Sequence, residues 1–268
     1  DATKPEKLSA EHLAATCAIL IEEDTGEIIF EKNADQMTYP ASTTKIMTAY
    51  LAITRGDLDA VTTVSARAID VPEDSSKLKI VEGEEIVLRD LVSGTMLSSG
   101  NDGANAIAEA VSGSIEAFVE LMNQTAIELG CTSTHFNNPH GYHDEYHYTT
   151  ARDLSIIARA AMANDEFRRV VSQTSCVMPK DNKFRSRTIA TNNDFLIKAD
   201  DSVRYFPYGT GIKTGRTSAA GSCFVGSATK DSISLISVVL GCEKDAQRYT
   251  DTIKLMNYGF TQYVSTSI

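Results

Sequence analysis

No stretch of about 18 apolar residues occurs in this 268-residue chain, so the sequence holds no bilayer-spanning helix. Internal repeats and low-complexity linkers are also missing, which leaves a globular chain. Basic charge is short: 25 Lys and Arg stand against 36 Asp and Glu, a net charge of −11. That balance argues against nucleic acid as a partner, and an anionic membrane surface would repel the chain. There are five cysteines and no C-x-x-C pair, which excludes a zinc ribbon and argues against a dense disulfide scaffold. Their odd number leaves at least one free thiol. Cys17, Cys223 and Cys242 lie in apolar, strand-like runs and read as buried reduced thiols; a Cys17–Cys242 bridge between neighbouring strands is the alternative. The first residues, Asp1 to Glu6, contain no apolar signal core, so the chain reads as cytosolic or as one whose targeting segment is already gone.

Hydrophobic residues make up 42% of the chain, enough for one large domain or two closely packed lobes. The stretch from Pro40 to Tyr50 (Pro-Ala-Ser-Thr-Thr-Lys-Ile-Met-Thr-Ala-Tyr) organises the rest. Proline ends the preceding segment, hydroxyl residues suited to capping follow, and an apolar-periodic run then begins, predicting a helix of about 14 residues ending near Arg55. Ser42 and Lys45 fall three apart on one face of that helix. A serine at the positive end of a helix dipole with an amine in reach is a candidate activated nucleophile. Ser-x-x-Lys recurs at Ser76–Lys79 and Ser227–Lys230, in a polar loop and a turn where it reads as incidental.

Residues 16–30 predict a hairpin turning at Asp24-Thr25-Gly26. Short strand-like pieces follow at 61–65 and 79–81, then helices over 88–98, 102–111 and 115–129. A loop over 131–148 carries four of the five histidines, and Thr150-Ala151-Arg152-Asp153 has capping-box spacing for a helix through Met162. A helix and two short strands, 175–178 and 187–191, are expected next. Strands at 211–215, 222–228 and 233–240 and a helix over about 246–258 close the chain. The expected fold class is α/β (α+β). An antiparallel sheet of about five strands comes from both chain ends, flanked by helices, with a mostly helical lobe inserted. The whole chain, 1–268, is expected to be a single catalytic domain, its sheet lobe at about 1–60 and 201–268 and its helical lobe at about 61–200.

Three polar motifs sit at junctions between these elements: Ser42-x-x-Lys45, Ser99-Gly100-Asn101 and Lys213-Thr214-Gly215. Singly, each has an ordinary explanation as a cap, a turn or a strand end. Together and in this order they match the motif set of penicillin-binding proteins and class A β-lactamases, with Ser-Gly-Asn in the place of Ser-Asp-Asn. Tyr39 to Lys45, Met96 to Asp102, Tyr148 to Leu154 and Gly211 to Gly221 extend the match along nearly the whole chain. The sequence resembles the serine-type D-alanyl-D-alanine carboxypeptidases, the low-molecular-mass penicillin-binding proteins.

The resemblance implies removal of the terminal D-Ala from peptidoglycan stem pentapeptides through an acyl-enzyme on Ser42, with β-lactam antibiotics as covalent inhibitors. Lys45 is expected to be the base, its pKa lowered by burial and by Lys213. Ser99 would relay a proton to the leaving D-Ala. Asn101 is expected either to hold the substrate's amide carbonyl or to hydrogen-bond Lys45. Lys213 and Thr214 would bind the terminal carboxylate, and Gly215 would let substrate lie against the strand edge. Relatives carry the oxyanion hole on backbone N–H groups, here those of Ser42 and Arg216. Arg216 itself replaces the His or small residue of many relatives. The arginine that some relatives place near the position of Thr191 is missing, leaving Arg185, Arg187 and Arg216 as candidate carboxylate anchors. No cofactor and no metal are expected: the spacing of His135, His140, His143 and His147 fits no zinc signature, and His147 reads as an anchor for its loop. The resemblance also implies an extracytoplasmic enzyme whose signal peptide has been removed, touching a membrane only through a segment absent from this chain. A class A-like β-lactamase is the nearest alternative, although Glu120-Leu121-Met122-Asn123 matches its water-activating element poorly. A non-catalytic β-lactam- or wall-binding module is the other.

Overall fold

A computed structural model describes residues 8–199 and 202–264. Nine strands and seven α-helices run through these residues. The five-stranded antiparallel sheet is ordered β2-β1-β9-β8-β7. Its strands are β1 (Cys17–Glu22), β2 (Ile28–Lys32), β7 (Gly209–Thr217), β8 (Gly221–Lys230) and β9 (Ile233–Cys242). All six β1 residues are buried, as the uninterrupted apolar run Cys-Ala-Ile-Leu-Ile demands when both sheet faces are covered. Between β8 and β9 the chain reverses at Asp231 and Ser232, both with positive φ, the conformation that matches the twist of a two-residue hairpin. The sheet therefore joins the two ends of the chain. Two-stranded ribbons β3 (Val61–Thr63) with β4 (Glu85–Val87), and β5 (Ser175–Met178) with β6 (Arg187–Ala190), lie in the middle segment.

Helices α1 (Lys45–Arg55), α2 (Leu88–Ser98), α3 (Asn101–Ser112), α4 (Ile115–Glu128), α5 (Ala151–Met162) and α6 (Asp165–Val171) cover one face of the sheet and extend away from it. Cys17, Ile19, Ile21, Val225, Ile236 and Val238 meet α1 and α5 in one continuous core. The opposite face, with Leu20, Phe224, Leu235 and Val239, packs against α7 (Asp245–Val264). Alternate residues of the strands thus feed two different cores. All five cysteines are free thiols. Cys17 faces Leu240 across the ladder, so Cys242 is displaced from it along β9. None of the described helices is long and apolar enough to cross a membrane.

Several expectations shift, each for a physical reason. The helix after Pro40 begins as a 3-10 turn, Ala41–Thr44, and becomes α-helical only at Lys45. No hydroxyl caps it: Thr43 donates to the carbonyl of Pro40 at 2.6 Å, and Thr44 is engaged by His147 at 2.7 Å. Residues 79–81 are not a strand, because the buried carboxylate of Asp102 accepts from the N–H groups of Leu78, Lys79 and Ile80 at 2.7, 2.8 and 3.3 Å. Thr150 caps α5 by accepting from Asp153 N at 3.0 Å, but the Asp153 carboxylate turns instead to Ser133 N and Thr134 Oγ1. Finally, α7 runs through Gly259 and does not stop there. A Cβ at Gly259 would come within 2.8 Å of Leu20 and Leu235, so this glycine lets the helix lie close on the sheet.

Phe224 is fully buried beneath α7, with Phe195 and Tyr249 each 5.2 Å away between ring centroids. Phe224→Ala is expected to cost about 3–5 kcal/mol in urea unfolding. A cost under about 1 kcal/mol would show that this second core does not hold the sheet.

Candidate active site

Four pieces of chain converge beside the edge strand β7. The first is the 3-10 turn carrying Ser42, half-buried where the chain leaves Pro40. Gly215 explains how closely β7 approaches it: a Cβ there would lie 2.9 Å from Ser42 N, 3.0 Å from Thr43 N and 3.1 Å from the carbonyl oxygen of Pro40. The glycine is required by the nucleophile's turn, a closer constraint than the substrate clearance expected of it.

Lys45 opens α1 and is fully buried. Its Nζ lies 3.0 Å from Ser42 Oγ, 2.7 Å from Asn101 Oδ1 and 2.8 Å from the carbonyl oxygen of His140. Two of these neighbours can only accept, whereas the serine hydroxyl can donate or accept. A neutral amine satisfies the set with two N–H bonds to the acceptors and its lone pair toward Ser42 Oγ–H. The electrostatics agree. Burial first, and then the charge of Lys213, push the Lys45 pKa well below its ordinary value, against a smaller opposing pull from Asp102. Between the two open alternatives for Asn101, its oxygen therefore goes to Lys45, and its NH2 group remains for another partner.

Ser99 ends α2 in the left-handed conformation, φ 60°, and is 4% exposed. Gly100 follows because a Cβ there would strike Leu78 N at 2.6 Å, and Asn101 then begins α3. Lys213 is 1% exposed and donates to the carbonyl of Thr214 at 3.1 Å. Burial, then the nearby guanidinium of Arg248, lower its pKa to about 7. Thr214 Oγ1 donates to Asn192 Oδ1 at 3.2 Å.

Arg248, which no sequence signal singled out, stands in the first turn of α7. It donates to the carbonyl of Gly215 at 3.1 Å, pairs with Asp245 at 2.8 Å and lies 5.0 Å from the centroid of the Tyr249 ring. The candidate anchors near Thr191 fall elsewhere. Arg187 is bound to Glu84 and, at 3.5 Å, to Asp181, while Arg185 is exposed at the β5–β6 ribbon. Arg216 is exposed and lines a 660 Å³ cavity with Ser42, Asn101, Tyr142 and Asp74.

The histidines serve the loop. His147 is 2% exposed; its Nδ1 accepts from Asn137 N at 2.9 Å, so Nε2–H points to Thr44 Oγ1 at 2.7 Å. His140 Nδ1 accepts from Tyr142 N at 3.1 Å, His135 Nδ1 contacts the carbonyl of Tyr146, and the His143 ring stands edge-on to Tyr39. Among the described residues no three His, Cys, Asp or Glu side chains group as metal ligands. Neither of the two other Ser-x-x-Lys pairs makes a serine–lysine hydrogen bond. Ser227 bonds Thr210 at 2.7 Å, Lys230 lies over Tyr208, and Ser76 offers only its carbonyl, to Asn101 N at 2.8 Å.

The family model of the D-alanyl-D-alanine carboxypeptidases, peptidase S11, matches residues 3–244. The chain belongs to this family. The S11 chain is 33% identical to the D-alanyl-D-alanine carboxypeptidase DacF of Bacillus subtilis, over 93% of its own length and 63% of that relative's. It is 32% identical to the D-alanyl-D-alanine carboxypeptidase of Streptomyces sp. K15, over 97% of its own length and 91% of the relative's. The crystal structure of the Streptomyces K15 DD-transpeptidase superposes with a TM-score of 0.86 at 31% identity, covering 97% of this chain and all of that one. The S11 chain thus spans 63% of the length of several curated relatives.

The arrangement predicts a bell-shaped pH profile for acylation, its rising limb set by neutral Lys45 and its falling limb near pH 7 by loss of the Lys213 charge. Removing that cation raises the Lys45 pKa. In Lys213→Gln the rising limb of the fluorescent-penicillin acylation rate should therefore move to higher pH and the falling limb should vanish. An unmoved rising limb would separate the two lysines.

Proposed function

We propose that the chain is the catalytic unit of a serine D,D-carboxypeptidase that removes the terminal D-Ala from peptidoglycan stem pentapeptides. The observation that carries this reading is the buried Lys45 amine, held by Asn101 and His140 with its remaining valence toward Ser42 Oγ. Ser42 Oγ attacks the carbonyl carbon of the penultimate D-Ala while its proton passes to Lys45. The tetrahedral oxyanion is received by the N–H groups of Ser42 and Arg216. Ser99 gives its proton to the departing D-Ala nitrogen and is reprotonated from Lys45, leaving an ester on Ser42; water then hydrolyses this ester, restoring the Ser42 hydroxyl and releasing the shortened peptide. Lys213 and Thr214 bind the terminal carboxylate, and Arg248, bonded to the Gly215 carbonyl, adds a second cation on that side. The substrate backbone pairs with the open edge of β7. β-Lactams, which present an acyl group to the same serine, acylate it.

A peptidoglycan substrate would put the enzyme on the outer side of the cytoplasmic membrane. The β-lactamase reading has little geometric support. Glu120 is exposed on α4, and Asn123 is occupied by the N–H and carbonyl of Phe136 at 2.7 and 2.8 Å. A non-catalytic binding module would have no use for a buried lysine amine held 3.0 Å from a serine hydroxyl.

Muropeptides incubated with the chain should lose one D-Ala per pentapeptide by mass spectrometry, and Ser42→Ala should abolish both this loss and labelling by fluorescent penicillin. Equal labelling of wild type and Ser42→Ala would sink the assignment. Penicillin labelling without D-Ala release would favour the binding module, and rapid penicillin turnover the β-lactamase.

A further inference from the structure

One large cavity opens at Ser42. The void bordered by Lys213 and Thr214 measures only 10 Å³, is walled by Met96, Leu97, Val171 and Ile212, and does not reach Ser42. The 660 Å³ cavity that Ser42 lines opens along Arg216, Thr217 and Ser218. A peptide whose terminal carboxylate lies at Lys213 and Thr214 runs along β7 so that the residues preceding its scissile bond enter this cavity. A D-alanine methyl group cannot fill it; the volume falls in the range of sites that enclose a whole small ligand. The residue before the D-Ala pair therefore places its side chain there.

The wall opposite β7 is formed by Asp74, Ser75 and Ser76, with Tyr142 between. Asp74 is exposed, accepts from Tyr142 Oη at 3.2 Å, and takes part in none of the ion pairs among the described residues. Both supports of this contact are tied to the catalytic residues. Asn101 N holds the carbonyl of Ser76 at 2.8 Å, and Asp102 fixes residues 78–80 immediately beyond. Tyr142 is set by its N–H to His140 Nδ1 and its carbonyl to Asn138 Nδ2, in the turn whose His140 carbonyl meets Lys45. Asp74 is thus a preorganised carboxylate with unused acceptor capacity. Glu243 and Arg216 also line the cavity, so its charged lining is two carboxylates and one guanidinium.

We propose that this cavity is a subsite for a cationic side chain, and that Asp74 receives an ammonium group carried by the residue preceding the D-Ala-D-Ala pair. The inference rests on the carboxypeptidase reading and adds a specificity determinant to it. Stem peptides whose third residue is a diamino acid with a free amine fit; those with the amine capped or absent leave Asp74 unpaired.

The test compares D-Ala release from Nα-acetyl-L-Lys-D-Ala-D-Ala and Nα,Nε-diacetyl-L-Lys-D-Ala-D-Ala. Wild type should favour the free amine in kcat/KM by roughly fivefold, the size of a good exposed ion pair, and lose this preference as salt rises. Asp74→Asn should bring the ratio near one, and Asp74→Glu should largely restore it. The ratio is internal to each variant, so a loss of folded protein cancels. A wild-type ratio of one or below, or an unchanged ratio in Asp74→Asn, overturns the subsite while leaving the carboxypeptidase reading intact. No D-Ala release from either tripeptide overturns both.

Discussion

A lysine amine with no contact to solvent is the constraint on which this structure depends. An ammonium at that position would have to leave water and sit near a second buried lysine, and each of these costs several kcal/mol. The fold meets the cost by pushing the Lys45 pKa well below its ordinary value and supplying two acceptors for its N–H bonds, Asn101 Oδ1 and the carbonyl of His140. Those acceptors come from the start of α3 and from the loop 131–148, while Lys45 itself opens α1. Helices and loop must therefore be in place before the amine can be. The chemistry of the site is a consequence of how it is assembled.

Buried hydrogen bonds hold that assembly, and several belong to residues that take no part in proton transfer. Asp102 collects three N–H groups of the 78–80 segment and so keeps Asn101 at its post. His147 joins the loop to the 3-10 turn through Thr44 and Asn137. Burial lowers the pKa of His140 and of His147 to about 3 each. Unfolded, both would take up protons below about pH 6.5; folded, they do so only near pH 3. Folding stability drawn from this loop is thus lost progressively as pH falls through that window.

Much of the architecture was legible because the signals are local. The apolar runs at 17–21 and 233–240 read directly as buried strands, and Pro40, Gly100 and Gly215 mark the junctions where the three motifs stand. The failures were tertiary. Residues 79–81 have strand-like alternation, but a carboxylate 22 positions away takes the N–H groups a ladder would use. Gly259 looks like a helix stop, yet the sheet beneath it needs a residue without a side chain. Arg248 gave no signal because it reaches β7 from a helix 33 residues further along. His140 was weighed for its imidazole, whereas its carbonyl is what touches Lys45.

By itself the sequence determined the sheet-forming ends, the helical middle and the three polar motifs, since these follow from residue periodicity, turn chemistry and the order of the motifs. Only the tertiary structure decided the burial of Lys45, the acceptor it finds in a backbone carbonyl, the second cation beside Lys213, and the carboxylate exposed at Asp74. Each of these depends on burial and on contacts between distant segments. Pattern along a chain reports neither, because desolvation and Coulomb interactions act through space.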